Sequence, residues 1–124
     1  MEHHADIFYS DTFTRLTDLL IAHLAQHMDE NTAIDKVLLT IDHFEKRIAS
    51  NPLSCHVSPH LAEFGVLAFR EFIDQDYRIL YRVIETTSQR SVYADAILSQ
   101  KQDIAKVIND YSLRYPDVNL NHLV

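Results

Sequence analysis

Apolar side chains recur at Phe13, Leu16, Leu20, Leu24 and Met28, steps of three and four residues that put them on one helical face. The spacing predicts a helix over about 11–28, with Asp11 placed to cap it. A short apolar run, Ile7–Ser10, precedes it and reads as an edge strand. Asp29, Glu30 and Asn31 break the pattern, and Thr32 with Asp35 three residues on forms a variant capping box for a second helix. Ile34, Val37, Ile41, Phe44 and Ile48 carry its apolar stripe. The helix ends at Asn51-Pro52, because proline disfavours helical geometry in the residue before it. Two helices of roughly 18 residues, each ~27 Å long and joined by so short a turn, are expected to lie antiparallel.

Beyond Pro52 the periodicity changes. Residues 52–65 have none and read as a loop, with room for one helical turn at His60–Phe64. Val66–Ile73 is rich in strand formers, Asp74-Gln75-Asp76 is a turn, and Tyr77–Ile84 is the strongest strand signal in the chain. In that strand Tyr77, Ile79, Tyr81 and Val83 face one way and Arg78, Leu80, Arg82 and Ile84 the other. Glu85–Arg90 is a polar loop, and Val92–Leu98 is a third antiparallel strand. Ser99 with Gln102 is positioned to cap a last helix carrying Ile104, Val107, Ile108, Tyr111 and Tyr115, ended by Pro116. The order implies an α+β fold: an N-terminal helical hairpin on a small antiparallel sheet, then a C-terminal helix. One domain over 1–116 and a loose tail over 117–124 account for the 124 residues.

Composition narrows the chemistry. Only Gly65 is a glycine, so neither a phosphate-binding loop nor a dinucleotide fingerprint can be written, and there is no Gly-x-Ser-x-Gly elbow. Eleven Lys and Arg against 18 Asp and Glu leave a net charge of −7, which opposes general affinity for nucleic acid phosphates. The lone Cys55 excludes an intrachain disulfide and agrees with a reducing compartment. No apolar run reaches membrane-spanning length, and the acidic lead-in Met1–Asp6 is unlike a secretory signal, so a cytoplasmic location is expected.

Several residues have the right chemistry for a site, and most have a plainer explanation. His23 and His27, at i and i+4, have zinc-ligand spacing but lack a third ligand. Cys55, His56 and His60 are denser, yet in a chain with eight histidines such clusters arise by chance. Neither group is expected to hold a metal. Asp74 and Asp76 flank a turn, where aspartates serve the backbone. Cys55 as a nucleophile would need a nearby base and a lowered pKa. The strand face Arg78, Leu80, Arg82, Ile84 is a poor solvent face and a poor core. Its plain reading is arginines snorkelling beside the last helix; its functional reading is a surface meant to be covered by a partner.

Three segments, Gly65–Phe72, Asp76–Val83 with its Tyr-Arg-Ile-Leu-Tyr-Arg-Val strand, and Ala96–Asp103, resemble the ParE/RelE superfamily of bacterial toxins. With the helical hairpin, the resemblance covers about residues 5–112. It implies a small cytoplasmic toxin of a type II toxin-antitoxin module, neutralised by a cognate antitoxin and meeting operator DNA only through it. RelE-like members cleave ribosome-bound mRNA, whereas ParE-like members poison DNA gyrase and perform no chemistry. Where members commonly show His-x-Arg-Arg-Asp after the last strand, this chain has Ser99-Gln100-Lys101-Gln102-Asp103. One cation of the cluster is left, which favours the gyrase-binding branch, without enzyme activity or cofactor. The ribonuclease, and an inactive relative serving as antitoxin partner or co-repressor, stand as alternatives. On this reading Arg78, Leu80, Arg82 and Ile84 meet the antitoxin, and Lys101, Gln102 and Tyr111 meet the target.

Overall fold

The structure, a computed structural model, describes residues 4–104 and 106. In chain order the elements are β1 (Asp6–Tyr9), α1 (Asp11–Leu24), α2 (Glu30–Ser50), α3 (Pro59–Ala62), β2 (Arg70–Asp74), β3 (Tyr77–Glu85) and β4 (Arg90–Ser99). The sheet order is β1-β4-β3-β2. β2, β3 and β4 form the expected antiparallel meander, but β1 adds to β4 in parallel, so the sheet is mixed rather than purely antiparallel. The reason is connectivity: β1 reaches the sheet edge before the two long helices, and Ser10 N–H, just past it, donates to Ala94 O at 3.1 Å.

The helix caps differ from the sequence expectation by one to three residues. Ser10, not Asp11, caps α1, its hydroxyl accepting from Phe13 N at 3.0 Å. Asp11 instead lies in the first turn, where its carboxylate complements the helix dipole. Asp29 caps α2 through Asn31 N and Thr32 N, so the residues that interrupt the apolar period begin the second helix. α1 accordingly stops at Leu24, and Met28 lies beyond it although it keeps the apolar step. The β2 strand starts at Arg70, four residues later than the run of strand formers, and Ser58 caps the short α3.

Both long helices pack on the β3 face that carries Tyr81. Phe44 of α2 meets Phe72 of β2 and Tyr81 of β3 edge to face, each at 5.5 Å, and all three are buried. Phe13, Leu16 and Leu20 bury the stripe of α1, which packs chiefly on β4 and on α2. The Tyr81 hydroxyl donates to Pro52 O at 2.8 Å and ties the segment after α2 to the core.

β4 contains a register shift: Leu80 pairs with Ala96 and Tyr81 with Ala94, leaving Asp95 as an extra residue. Val92 and Ala94 therefore share a face before the bulge, and Ile97 shares that face after it, opposite Ile79.

After β4 the Ser99–Gln102 pair forms a turn: Ser99 N donates to Gln102 Oε1 at 2.8 Å, while Ser99 Oγ accepts from Lys101 N. The capping role falls to Asp103, whose Oδ1 accepts from Lys106 N at 3.2 Å. Ile104 is buried. The rest of the expected last helix, with Val107, Ile108, Tyr111 and Tyr115, and the tail lie outside the described residues. Among the described residues no helix is long and apolar enough to cross a membrane.

Candidate interaction surface

The β3 face opposite the helices is where the sequence pattern concentrates arginine. Its residues belong to cross-strand rows with Glu71 and Ile73 on β2 and with Tyr93, Ala96 and Leu98 on β4. Arg78 Nη1 donates to Glu71 Oε1 at 2.8 Å and Nη2 to Gln100 O at 2.8 Å, and both side chains are almost fully covered, at 10% and 4% exposure. Arg78 Nε is buried with no hydrogen-bond partner. Arg82 Nε donates to Asp95 Oδ2 at 2.8 Å. The Arg82 guanidinium also lies 5.1 Å from the Tyr93 ring centroid, and Phe8 stacks on Tyr93 from the edge strand at 5.4 Å.

Asp95 lies at the β4 bulge. It is the unpaired residue of the register shift, two positions on from Tyr93, the cross-strand partner of Arg82, and its carboxylate meets Arg82 across the ladder. The arginines thus already hold carboxylates of this chain. Of the four residues expected to meet an antitoxin, Leu80 is completely buried, Arg78 and Arg82 are ion-paired, and Ile84 is exposed at 45%. Sequence reasoning missed Glu71 and Asp95. Each was legible only as an acid set among apolar strand residues, with no indication of which arginine it would meet.

Of the residues expected to meet the target, Lys101 is exposed and Gln102 holds the turn after β4, while Tyr111 lies outside the described residues. The histidine and cysteine groups separate. The His23 and His27 rings meet edge to face at 5.6 Å. Cys55 is buried, its carbonyl accepting from Arg70 Nη1 at 2.6 Å, whereas His56 and His60 are exposed. Among the described residues no three His, Cys, Asp or Glu side chains gather in metal-binding geometry. Asp74 Oδ2 lies 2.8 Å from His43 Nδ1, joining α2 to the end of β2.

Three tyrosines hold their protons more tightly than usual. Burial is the main cause at Tyr9, reinforced by a hydrogen bond with Glu45. Burial also raises Tyr77, with Asp76 adding to it, and Tyr81, where Cys55 adds to it. None is thereby prepared to act as a base near neutral pH.

No family model and no curated protein sequence matches the chain. A solved structure does: the chromosomal ParDE TA system from P. aeruginosa contains a chain that superposes with a TM-score of 0.61 at 12% identity. The match covers 78% of this chain and 97% of that one. An order of strand, two long helices and an antiparallel meander, with so large a share of both chains superposed, gives this protein the fold of a ParDE-system chain.

Proposed function

We propose that the protein is a ParE-like toxin of a type II toxin-antitoxin module: it inhibits DNA gyrase by binding, acts in the cytoplasm, and is neutralised by a cognate antitoxin. The observation that carries this reading is the fold match to a ParDE system across nearly the whole of the matched chain. The disposition of the cations supports binding over chemistry. A ribonuclease that attacks through the 2′-hydroxyl must surround a phosphate with cations and supply an acid and a base. Here Arg78 and Arg82 are held by Glu71 and Asp95 beneath the surface, and Arg90 is paired with Glu85. With a net charge of −7, the chain meets operator DNA only through the antitoxin.

Purified gyrase with the chain added tests the proposal. Supercoiling is expected to stop, with cleaved DNA accumulating, while ribosome-bound mRNA stays intact. Induced expression without the antitoxin is expected to arrest growth. Site-specific mRNA cuts in a translation extract, abolished by Lys101→Ala, would replace the reading with a ribonuclease.

A further inference from the structure

Arginine serves this chain in two ways. Arg78, Arg82 and Arg90 donate to the carboxylates of Glu71, Asp95 and Glu85, so their charge is answered where it lies. Arg47 and Arg70 are held by neutral oxygens instead. Arg47, in the last turn of α2, donates from Nε to Ser54 Oγ at 3.1 Å and from Nη2 to Ser54 O at 3.4 Å. Arg70, the first residue of β2, donates from Nη1 to Cys55 O at 2.6 Å. A carbonyl or hydroxyl oxygen fixes the direction of a guanidinium without cancelling its charge.

The two guanidiniums are brought to one end of the molecule by elements distant in sequence. They bind consecutive residues of the segment after α2, which runs beside β2 through the hydrogen bond from Glu71 N to His56 O and the Val57–Arg70 bridge. Arg70 and Phe72, two residues apart, share the helix-side face of β2, and the Arg47 guanidinium lies 5.9 Å from the Phe72 ring centroid. Arg47 is exposed and Arg70 half-buried. Arg47 Nη1 and Arg70 Nε and Nη2 keep no hydrogen-bond partner among the described residues.

The carboxylates carried by the same two elements are engaged elsewhere: Asp42 with Lys46, Asp74 with His43, Glu45 with the Tyr9 hydroxyl, and Glu71 with Arg78 on the other face of β2. Arg15, Lys36, Lys101 and Lys106 are also exposed and without a carboxylate partner among the described residues, but no hydrogen bond orients their side chains. Arg47 and Arg70 differ in being both unanswered and fixed in direction, on a protein of net charge −7.

The number and kind of cations select the anion. A guanidinium fork accepts carboxylate or phosphate oxygens alike, but one carboxylate brings one negative charge to two cations. A phosphate monoester carries a charge of about −1.5 to −2 near neutral pH and has oxygens for both forks. A polynucleotide offers one charge per phosphate and meets the repulsion of a chain at −7. We propose that Arg47 and Arg70 form an anion site for a phosphate dianion, supplied as inorganic phosphate or as the terminal group of a small phosphomonoester such as a nucleotide. The site depends neither on gyrase nor on toxicity, and a failed gyrase assay leaves it intact.

Titration of the full-length chain, followed by its arginine Nε–Hε resonances with chloride adjusted to hold ionic strength constant, tests the site. Sodium phosphate is expected to shift the Arg47 and Arg70 resonances saturably, with half-saturation at or below about 10 mM. Adenosine monophosphate, titrated separately, distinguishes the sources: binding about tenfold tighter than inorganic phosphate identifies a phosphomonoester site, and equal or weaker binding a site for the free ion. Arg47→Lys keeps the charge but loses the planar fork, and should weaken phosphate binding about tenfold. Arg70→Gln should weaken it as much, while Arg15→Gln, an exposed arginine that nothing orients, should leave it unchanged. Circular dichroism identical to that of the parent qualifies each variant, and Arg47→Lys alone decides where Arg70→Gln disturbs β2. Shifts that fail to saturate, affinity indifferent to Arg47→Lys, or acetate as effective as phosphate would overturn the proposal. So would a single-stranded oligonucleotide without a terminal phosphate that binds more tightly than phosphate and is lost with Arg47→Lys, since that would mean a nucleic-acid surface.

Discussion

β3 is nine residues long and puts alternate side chains into two unlike environments. Towards the helices, Ile79 and Tyr81 meet an apolar layer in which Phe44 fills the centre. On the opposite face Leu80 is equally buried, but it sits between Arg78 and Arg82, each closed by an ion pair. The first face is stabilised by removing apolar area from water, which is indifferent to exact partners. The second depends on specific donors and acceptors, because a charge out of water is tolerable only when matched. Arginine on a strand is therefore not in itself a sign of a surface awaiting a ligand: Arg82 is closed by Asp95 of the adjoining strand.

The contrast can be broken most forcefully at its two centres. Phe44→Ala empties a fully buried site bounded by two aromatic rings and should cost about 3–5 kcal/mol in urea denaturation. Arg78→Ala should cost about as much, ~3–5 kcal/mol, for a different reason, since it strands the buried Glu71 carboxylate. The double change Arg78→Met with Glu71→Leu separates the causes: it should recover most of the loss. A double variant as unstable as Arg78→Ala would mean that packing volume, not charge, governs this face too.

A smaller effect sharpens the helix side. Tyr81→Phe keeps the ring but leaves Pro52 O without its donor, about 1 kcal/mol at neutral pH. It should also change the alkaline limb. Burial first, then Cys55, raises the Tyr81 pKa above its ordinary value of 10.0. The folded state thus holds the proton more tightly than the unfolded one. The contribution is complete below the unfolded pKa and is lost as pH rises above about 10. Denaturation midpoints measured from neutral pH upward should fall less steeply in Tyr81→Phe than in the parent; equal slopes would mean that Tyr81 does not ionise in this range.

The smallest effect is expected where a pair lies in water. Lys46 and Asp42 meet at 3.0 Å on α2 with both side chains largely exposed, so Lys46→Ala should change stability by less than about 0.5 kcal/mol. A loss rivalling that of Arg78→Ala would erase the distinction between buried and exposed ion pairs on which the comparison rests.

How far these features were legible depended on whether they are local. The stripes Phe13-Leu16-Leu20 and Val37-Phe44-Ile48 appear as written, because helical period is set by the backbone alone. The alternation of β3 was likewise readable, although which face would stay wet was not. Caps shifted by one to three residues because Ser10, Asp11, Asp29 and Thr32 are all competent acceptors, and only the path of the chain selects among them. In the candidate surface, Lys101 and Gln102 were identified by their place after β4. The hollow beside them was not, because its lining residues His23 of α1, Lys36 of α2 and Lys101 after β4 are distant along the chain.

By itself, then, the sequence determined the helices, the meander, the absence of a glycine-based phosphate loop and the acidic balance, all of which follow from local period, backbone chemistry and composition. Only tertiary structure decided the rest. β1 joined β4 in parallel across three intervening helices and two strands, and Asp95 became an extra residue because β3 and β4 change register. Arg78 and Arg82 spend their charge inside the chain because Glu71 and Asp95 lie on the adjoining strands. Partnership between residues far apart in sequence is fixed by register and packing, and a pattern read along one strand contains neither.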